Sequence, residues 1–260
     1  MKANVNNPFQ EIGFFLEVTK DGSPTLRLTE DIRSGESMHH SGGAAAETNY
    51  IYKSVIQKAM VLHQLKRPKA EFKTLVVGLG LGYIEISWAQ VLLQQRFAFS
   101  NNLSLESFEI VSGLRNCFSN WFENKEELKI YNQITEKLDS SSCVAEVKKI
   151  LGVAFANGRG LYADILDYKG SQKWNMICYD AFSQQTSGPL WNETFLNQFF
   201  KNHAAVDCVF TTYACTGILK KVLAENGFYF IKRPGFQGKR DSTIALRGLF
   251  MEDLSIFQTF

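Results

Sequence analysis

The sequence lacks the marks of export, of membrane insertion and of a thiol-based metal site. Lys2 is followed by polar residues, and the first apolar patch, residues 12–16, is too short for a signal peptide. The most apolar long run, residues 75–93, contains three glycines and Glu85, which favours a strand, a turn and a helix over a bilayer helix. The five cysteines are odd in number and form no Cys-x-x-Cys pair. These absences predict a cytoplasmic location, reduced thiols, no membrane association and no metal.

The chain also lacks a large excess of either charge, an internal repeat and a low-complexity tract. Its formal net charge is +2 over 260 residues, a length that suits one large α/β domain with a substantial core. A hairpin is predicted near the start, because the strand-like residues 14–18 and 25–28 flank the turn-forming Asp21-Gly22-Ser23. A helix pattern follows over residues 44–65.

Beyond this helix, apolar strand patterns alternate with helical patterns. Strands are predicted at residues 73–78, 103–109, 160–163, 174–179, 205–212, 227–231 and 242–246. Helices are predicted at residues 83–96, 113–137, 140–154, 191–201 and 215–226. Such alternation predicts a doubly wound, mostly parallel sheet. The last two strands are separated by a loop too short for a crossover helix, so the last strand is predicted to be antiparallel. A mostly parallel sheet of about seven strands with an antiparallel last strand is the class I, Rossmann-like methyltransferase arrangement.

A glycine-rich turn follows the first strand of this alternation. In Gly78-Leu79-Gly80-Leu81-Gly82 the backbone is able to approach a ligand closely. The nicotinamide fingerprint would require a glycine at position 83, where Tyr83 stands, so a nicotinamide oxidoreductase is disfavoured. The spacing is better suited to a loop around an adenosyl amino acid than to one that holds pyrophosphate.

Three carboxylates close three successive predicted strands and should share one rim of the sheet. Glu109 is placed to accept the ribose hydroxyls of an adenosine, or it is a solvated residue at a strand end. Asp164 is placed to accept from an adenine amino group, or it is a helix N-cap. Asp180 opens an Asp-Ala-Phe sequence at the end of the next strand, where a carboxylate needs a reason because a buried charge is costly unless it is paired.

With these residues in place, the chain resembles the methyltransferase family that completes 5-methylaminomethyl-2-thiouridine at the tRNA wobble position. The resemblance runs from about residue 8 to residue 248. Besides the glycine loop, the matching motifs are Met38–Glu47, Asp180-Ala181-Phe182 with Leu190-Trp191, Thr211–Ala214, Lys232–Phe236 and Gly238-Lys239-Arg240. The Asp-Ala-Phe sequence together with the basic tail is more specific than the glycine loop, which many methyltransferases share.

The resemblance implies S-adenosyl-L-methionine as cofactor, no metal, and methylation of an aminomethyl uridine. Residues 1–43 are then the N-terminal hairpin and a loop near the active site, and residues 44–260 are the methyltransferase domain, in one structural unit. Asp180 is the predicted catalytic residue, which binds the incoming amine, orients it and helps to remove its proton, with a structural cap of the strand as the alternative. The predicted cofactor contacts are Gly78, Leu79, Gly80, Gly82, Glu109, Ile110, Asp164, Ile165 and Glu47. The predicted substrate pocket comprises Phe182, Trp191, His40 and Ser41, with loop packing as an alternative for His40 and Ser41 and core packing for the two aromatic residues.

The predicted tRNA contacts are Lys232, Arg233, Lys239 and Arg240, which belong to a basic C-terminal segment with few acids. A local basic stripe is the expected footprint of phosphate contacts, although runs of charge are also common on solvated faces. Many members of the family are fused to a flavin oxidoreductase that removes a carboxymethyl group. Since this chain stops at Phe260, we expect a stand-alone methyltransferase, with a separate oxidoreductase as the source of its aminomethyl substrate where that step is needed.

The chain also departs from the family pattern at two positions of the cofactor loop. Val76 stands where an acid is common and Ile84 where an asparagine is common, so Glu47 or Glu85 is a candidate to hold the ammonium group of the cofactor. These departures leave open a non-catalytic tRNA-binding protein of the same fold. A methyltransferase or aminopropyltransferase that acts on another amine is the other alternative.

Overall fold

The structure is a computed structural model that describes residues 8–29, 35–97, 102–156, 159–238 and 241–258. After a short helix, α1 (Pro8–Glu11), strands β1 (Phe14–Val18) and β2 (Pro24–Leu28) pair in an antiparallel hairpin, as predicted. Asp21 Oδ1 organises the turn by accepting hydrogen bonds from the Thr19 hydroxyl at 2.7 Å and from the Ser23 backbone N–H at 2.9 Å. The hairpin turn is thereby fixed by its own side chains.

The same turn caps the long helical segment that follows. The Ser23 hydroxyl oxygen accepts from the backbone N–H groups of Ala44 and Ala45 at 3.0 and 3.1 Å, which satisfies donors that a helix start leaves without partners. The segment comprises α2 (Ala44–Thr48), a π-helical turn (Asn49–Lys53) and α3 (Ser54–Lys66). The predicted helix over residues 44–65 is therefore confirmed, with a π turn that the sequence pattern does not reveal.

Seven strands form the main sheet in the order β5-β4-β3-β6-β7-β9-β8. Strands β3 to β7 run parallel, whereas β9 pairs antiparallel with both β7 and β8. This confirms the predicted class I arrangement with an antiparallel last strand. The strands are β3 (Phe72–Val77), β4 (Leu103–Phe108), β5 (Leu161–Tyr162), β6 (Trp174–Tyr179), β7 (Ala204–Thr212), β8 (Tyr229–Arg233) and β9 (Ser242–Arg247).

The remaining helices cover the two faces of the sheet. They are α4 (Tyr83–Gln94), α5 (Ser112–Phe122), α6 (Lys129–Leu138), α7 (Val144–Ala154), α8 (Glu193–His203), α9 (Gly217–Glu225) and α10 (Ser255–Gln258). Alternate residues of each strand enter separate cores: Val76 packs with the α3–α7 side, whereas Leu75 and Val77 pack with α8 and α9. The single helix predicted over residues 113–137 is wrong. It is two helices, and Asn124 lies between them with a positive φ of 57°. None of the helices in the described ranges is both long and apolar enough to cross a membrane.

Candidate active site

A cavity of about 480 Å³ opens where the parallel strands end. Its walls include the glycine loop after β3, Glu109 after β4, Asp164 after β5 and Asp180 after β6. The three carboxylates predicted to share one rim of the sheet therefore line one cavity. Ligands bind at this edge in open α/β sheets, because the loops that follow the strands converge there. The volume lies within the usual range for small-molecule sites.

The glycine loop allows the backbone to form one wall of this cavity. Gly78, Gly80 and Gly82 have φ values of 97°, 51° and 69°, in the left-handed region that glycine tolerates best. A Cβ on Gly78 would lie 2.5 Å from the backbone oxygen of Asp180. A Cβ on Gly82 would lie 2.4 Å from the ring of Phe118, and Gly82 is not among the lining residues described. Gly82 thus packs the start of α4, while Gly78, Leu79 and Gly80 face the cavity.

Glu109 connects the ends of two neighbouring strands. Its Oε2 atom accepts from the backbone N–H of Gly80 at 3.1 Å, and its Oε1 atom accepts from that of Val111 at 2.9 Å. Burial raises the pKa of Glu109, and the two backbone N–H groups oppose that rise. Ile110, beside it, lines the cavity and leaves 70% of its surface exposed, a large apolar surface available to a flat ligand.

Asp164 acts as the N-cap of a short 3₁₀ turn, Ile165–Asp167. Its Oδ1 atom accepts from the Leu166 backbone N–H at 2.9 Å, so the capping interpretation is confirmed. Asp164 and Ile165 also line the cavity, so capping and ligand contact are compatible at this position.

Asp180 lines the cavity and has other acidic side chains near it. The hydroxyl of Tyr52 donates to its Oδ1 atom at 2.5 Å. Burial raises the pKa of Asp180 well above its ordinary value; the hydrogen bond from Tyr52 opposes this, and the negative charges of Glu47 and Glu85 add to it. A half-buried carboxylate with acidic neighbours is stabilised by a cation, and a protonated amine is one.

The loop after Asp180 is held by two aromatic side chains. Tyr213 donates its hydroxyl to the carbonyl of Ala181 at 2.9 Å, and Trp191 donates its indole N–H to the carbonyl of Phe182 at 2.7 Å. Phe182 and Tyr213 line the cavity. Trp191 does not: it is 4% exposed and packs on Tyr179 with ring centroids 5.1 Å apart. The prediction that Trp191 forms the pocket wall is wrong, because the indole supports the loop from behind.

The His-His-Ser-Gly-Gly sequence is anchored to the cavity by a carboxylate. Glu47 Oε2 accepts from the backbone N–H of His40 at 2.6 Å, and Glu47 itself lines the cavity. His39, rather than the predicted His40, is the lining histidine. Ser41 is exposed and its carbonyl accepts from the Lys20 backbone N–H, which is the loop-packing alternative.

The structure also shows which acidic side chain could take the place of the acid that is common in the family at the position of Val76. Val76 is fully buried in the core, and Ile84 lines the cavity. Glu85 is fully buried, accepts from the Ser107 hydroxyl at 2.6 Å and is not among the described lining residues. Of the two candidates for the ammonium of the cofactor, Glu47 is therefore the one that faces the cavity.

Sequence analysis missed Glu36, Tyr52 and Tyr213. Glu36 lines the cavity and accepts from the Ser183 N–H and hydroxyl, each at 3.0 Å, and from the Thr186 hydroxyl. It thereby ties the segment after the hairpin to the loop after Asp180. For Tyr213, the Thr211–Ala214 motif of the family resemblance was the available signal.

Of the four predicted phosphate contacts, the structure describes two, Lys232 and Arg233. Arg233 is 0% exposed, and its guanidinium donates to the carbonyls of Tyr50 at 2.9 Å and Ile51 at 3.2 Å. The prediction that Arg233 contacts phosphate is therefore wrong. Lys232 is exposed and forms an ion pair with Asp241 at 2.8 Å. Lys239 and Arg240 lie outside the described residues.

The carboxylates are the charged side chains among the described residues that line the cavity, and its other walls are largely apolar. Among the described residues no lysine or arginine lines it, and no group of three or more His, Cys, Asp or Glu side chains is arranged to hold a metal. A cavity of this charge favours cationic ligands, by attraction in a site of lower dielectric constant than water. Five carboxylates line it: Glu36, Glu47, Glu109, Asp164 and Asp180.

Comparison with known proteins identifies the class of enzyme to which this site belongs. A family model described as S-adenosyl-L-methionine-dependent methyltransferase matches residues 131–248. The tRNA 5-methylaminomethyl-2-thiouridine biosynthesis bifunctional protein MnmC of Hahella chejuensis is 36% identical over 85 residues, which are 32% of this chain and 13% of that protein. The protein of the same name from Cupriavidus metallidurans is 33% identical over 66 residues, 25% of this chain and 10% of that protein. The matches thus span a small part of these relatives.

Among solved structures, that of MNMC2 from Aquifex aeolicus shares the fold. It superposes with a TM-score of 0.59 at 22% identity and covers 95% of this chain and 77% of that one. The chain belongs to the S-adenosyl-L-methionine-dependent methyltransferases. Within that class it is similar to the MnmC proteins over the parts that match.

The described residues fit the cofactor of this class, S-adenosyl-L-methionine. Gly78 and Gly80 leave the loop backbone without side chains where the cavity begins, and a Cβ on Gly80 would lie 3.1 Å from the Met38 sulfur. Glu109 offers a carboxylate suited to a ribose diol, and Glu47 offers one suited to an ammonium group. Ile110 and Ile165 line the cavity and would offer apolar surface to the adenine.

Replacing Glu109 by alanine should weaken S-adenosylmethionine binding by about 10- to 100-fold, because a hydrogen bond that involves a charged group contributes about 1.5–3 kcal/mol. Isothermal titration calorimetry measures the affinity. Glu126→Ala is the matched control, since Glu126 is exposed and its oxygen accepts from Asn120. An unchanged affinity in Glu109→Ala would remove Glu109 from the cofactor site.

Proposed function

We propose that this chain transfers a methyl group from S-adenosylmethionine to the amine of a 5-aminomethyluridine, with or without 2-thiolation, at the tRNA wobble position. The similarity to the two MnmC proteins, whose names specify 5-methylaminomethyl-2-thiouridine and tRNA, supports the nucleoside and the RNA. The observation that carries the proposal is the contact between the glycine loop and Asp180. Because the backbones of Gly78 and Asp180 touch, the cofactor wall and an amine-binding carboxylate belong to one cavity.

Methyl transfer to an amine requires the protein to align the acceptor amine and to remove a proton from it. An alkylamine has a free pKa of about 10, so the acceptor arrives as an ammonium ion without a nucleophilic lone pair. Asp180 binds this ion, orients it and receives its proton, which then passes to solvent. S-adenosylmethionine supplies, when bound, an electrophilic methyl group on a sulfonium sulfur that leaves as a neutral thioether. The nitrogen–carbon bond forms as the sulfur–carbon bond breaks.

The remaining lining residues shape the space around that amine. Phe182 and Tyr213 flank Asp180 with aromatic surface, which suits a flat uracil ring and also a cation, for which the gain is about 0.5–2 kcal/mol. Exclusion of water by these side chains strengthens the attraction between the ammonium and the carboxylate. Lys232, with Lys239 and Arg240, remains the candidate contact for tRNA phosphate.

The acidic cavity should distinguish between two wobble substituents. An aminomethyl group is a simple cation, whereas a carboxymethylaminomethyl group would bring its own carboxylate among Glu36, Glu47 and Asp180. Because like charges at close quarters cost several kcal/mol, we expect a kcat/KM at least about 100-fold lower for tRNA that carries the carboxymethyl form. Methyl incorporation from labelled S-adenosylmethionine into the two tRNAs measures this.

A third tRNA, whose carboxymethyl group is a methyl ester, controls for size. The ester has the bulk of the acid without its charge, so it should be methylated more efficiently than the acid. Equal rates for the aminomethyl and carboxymethyl forms would contradict the assignment of the acceptor site. Methylation of free small amines at rates that exceed those with tRNA would favour the alternative of another amine substrate.

A further inference from the structure

The helix over the sheet edge changes its pitch where it passes Asp180. The π-helical turn Asn49–Lys53 interrupts an otherwise regular helix, and Tyr52 lies within it. A π turn costs hydrogen-bond geometry and is often found at functional sites. Here its consequence is visible: Tyr52 is 3% exposed, lines the cavity and directs its hydroxyl at Asp180.

Buried partners hold this π turn in place. Arg233 donates to the carbonyls of Tyr50 and Ile51, and its guanidinium lies over the ring of Tyr50 at 4.7 Å. The Thr211 hydroxyl also donates to the carbonyl of Ile51, at 2.9 Å. Strands β7 and β8 thereby fix the backbone that carries Tyr52. The arginine that the sequence suggested for RNA binding instead supports the active-site helix.

Tyr52 can only act as a donor toward Asp180. Burial and the neighbouring negative charge of Asp180 raise the pKa of Tyr52 well above its ordinary value, so it remains a phenol throughout the physiological range. Its hydroxyl donates to Asp180 Oδ1, and a hydrogen bond of this kind is strongest when the carboxyl group is ionised. One carboxylate oxygen is thus fixed by the protein.

Of the other ionisable groups near Asp180, two work against its negative charge and two are neutral. Glu47 on α2 and Glu85 on α4 repel it, Cys178 lies two residues earlier on β6, and Tyr213 follows β7 as a neutral phenol. Of the contributions to the pKa of Asp180, the hydrogen bond from Tyr52 is the one that lowers it. Without that bond, Asp180 would hold a proton up to a higher pH, and over that added range it could not accept one from an ammonium ion.

We propose that Tyr52 is a positioning residue for methyl transfer: its hydroxyl fixes one oxygen of Asp180 so that the carboxylate stays aligned and ionised to receive the acceptor amine. The inference rests on the proposed function in naming the amine as the group received. The contact itself concerns the free protein, and it can therefore be tested without any acceptor.

The test is Tyr52→Phe, which removes the hydroxyl and keeps the ring. Carbon-13 NMR of aspartate-labelled protein, with the Asp180 signal assigned by its loss in Asp180→Asn, follows the titration of this carboxyl group. We expect its midpoint to rise by about one pH unit. The acid limb of kcat/KM for aminomethyl tRNA should move up equally, since activity is lost as the pH falls through the pKa of Asp180 and that pKa has risen. At pH values well below the midpoint, kcat/KM of Tyr52→Phe should be about tenfold lower than that of wild type.

Tyr131→Phe is the matched control. Tyr131 is also fully buried, and its hydroxyl has no hydrogen-bond partner in the described part of the chain, so its removal should leave both titrations unchanged. A Tyr52→Phe protein that is folded by circular dichroism, with the Asp180 midpoint where wild type has it, would overturn the inference. A different outcome is that the Asp180 midpoint rises in Tyr52→Phe while even the wild-type protein does not methylate aminomethyl tRNA. That result would retain the role of Tyr52 toward Asp180 and reject the proposed substrate.

Discussion

Replacing Asp180 by asparagine lowers methyl transfer to aminomethyl tRNA by at least about 100-fold, the smaller end of what a general base contributes, and leaves S-adenosylmethionine affinity within about tenfold. The amide has nearly the same shape and can still accept from Tyr52, so the cavity keeps its form. It can neither attract the ammonium nor take its proton. Single-turnover kinetics measure the first quantity and calorimetry the second.

Asp253→Asn controls for the loss of one carboxylate charge. Asp253 accepts from the Ser255 hydroxyl beside α10 and does not line the cavity, so turnover should not change. An Asp180→Asn protein with near-normal turnover would remove this residue from the mechanism. A large loss of cofactor affinity instead would move Asp180 from the acceptor side of the cavity to the cofactor side.

Gly78→Ala should both destabilise the fold and impair cofactor binding. A side chain at φ of 97° costs about 1–3 kcal/mol, and the new Cβ would meet the Asp180 backbone oxygen at 2.5 Å. Backbone cannot rotate away as a flexible side chain can, so the loop or the end of β6 must shift. We expect the melting temperature to fall by about 5 °C and S-adenosylmethionine affinity to fall at least tenfold, roughly what a cost of 1.4 kcal/mol produces. Differential scanning fluorimetry and calorimetry measure these effects.

Gly152→Ala is the corresponding control on α7. Its Cβ would meet nothing within 4 Å, and alanine is favoured over glycine inside a helix by about 1 kcal/mol. Its melting temperature should be equal to or above that of wild type, with unchanged cofactor affinity. If Gly78→Ala behaved like Gly152→Ala, the close approach of the glycine loop to Asp180 would not exist in solution.

The rim of carboxylates could be predicted from sequence for a general reason. Each follows an apolar strand pattern, and the ends of parallel strands converge at one edge of the sheet, so local patterns sufficed for Glu109, Asp164 and Asp180. The antiparallel β9 was predictable from the short loop before it. These inferences need no knowledge of which side chains touch.

Contacts across long sequence separations could not be predicted in this way. Glu36 meets Ser183 and Tyr52 meets Asp180 only because the folded chain brings the hairpin segment and a π turn over the sheet edge. No pattern in residues 44–65 marks the change of helix pitch. Arg233 is different, because strand alternation held a signal: in β8, Ile231 and Arg233 point inward and Lys232 outward. Treating the basic run as one surface overlooked that alternation.

Mass spectrometry of nucleosides from aminomethyl-bearing tRNA, incubated with the protein and S-adenosylmethionine, tests the central claim most directly. Digestion before and after incubation identifies which nucleoside has gained mass, and tRNA without the aminomethyl group serves as the matched substrate control. The account predicts that the 5-aminomethyl wobble uridine gains one methyl group in place of one hydrogen, while all other nucleosides keep their masses. A wobble nucleoside of unchanged mass, with the cofactor bound and the protein folded, would contradict it.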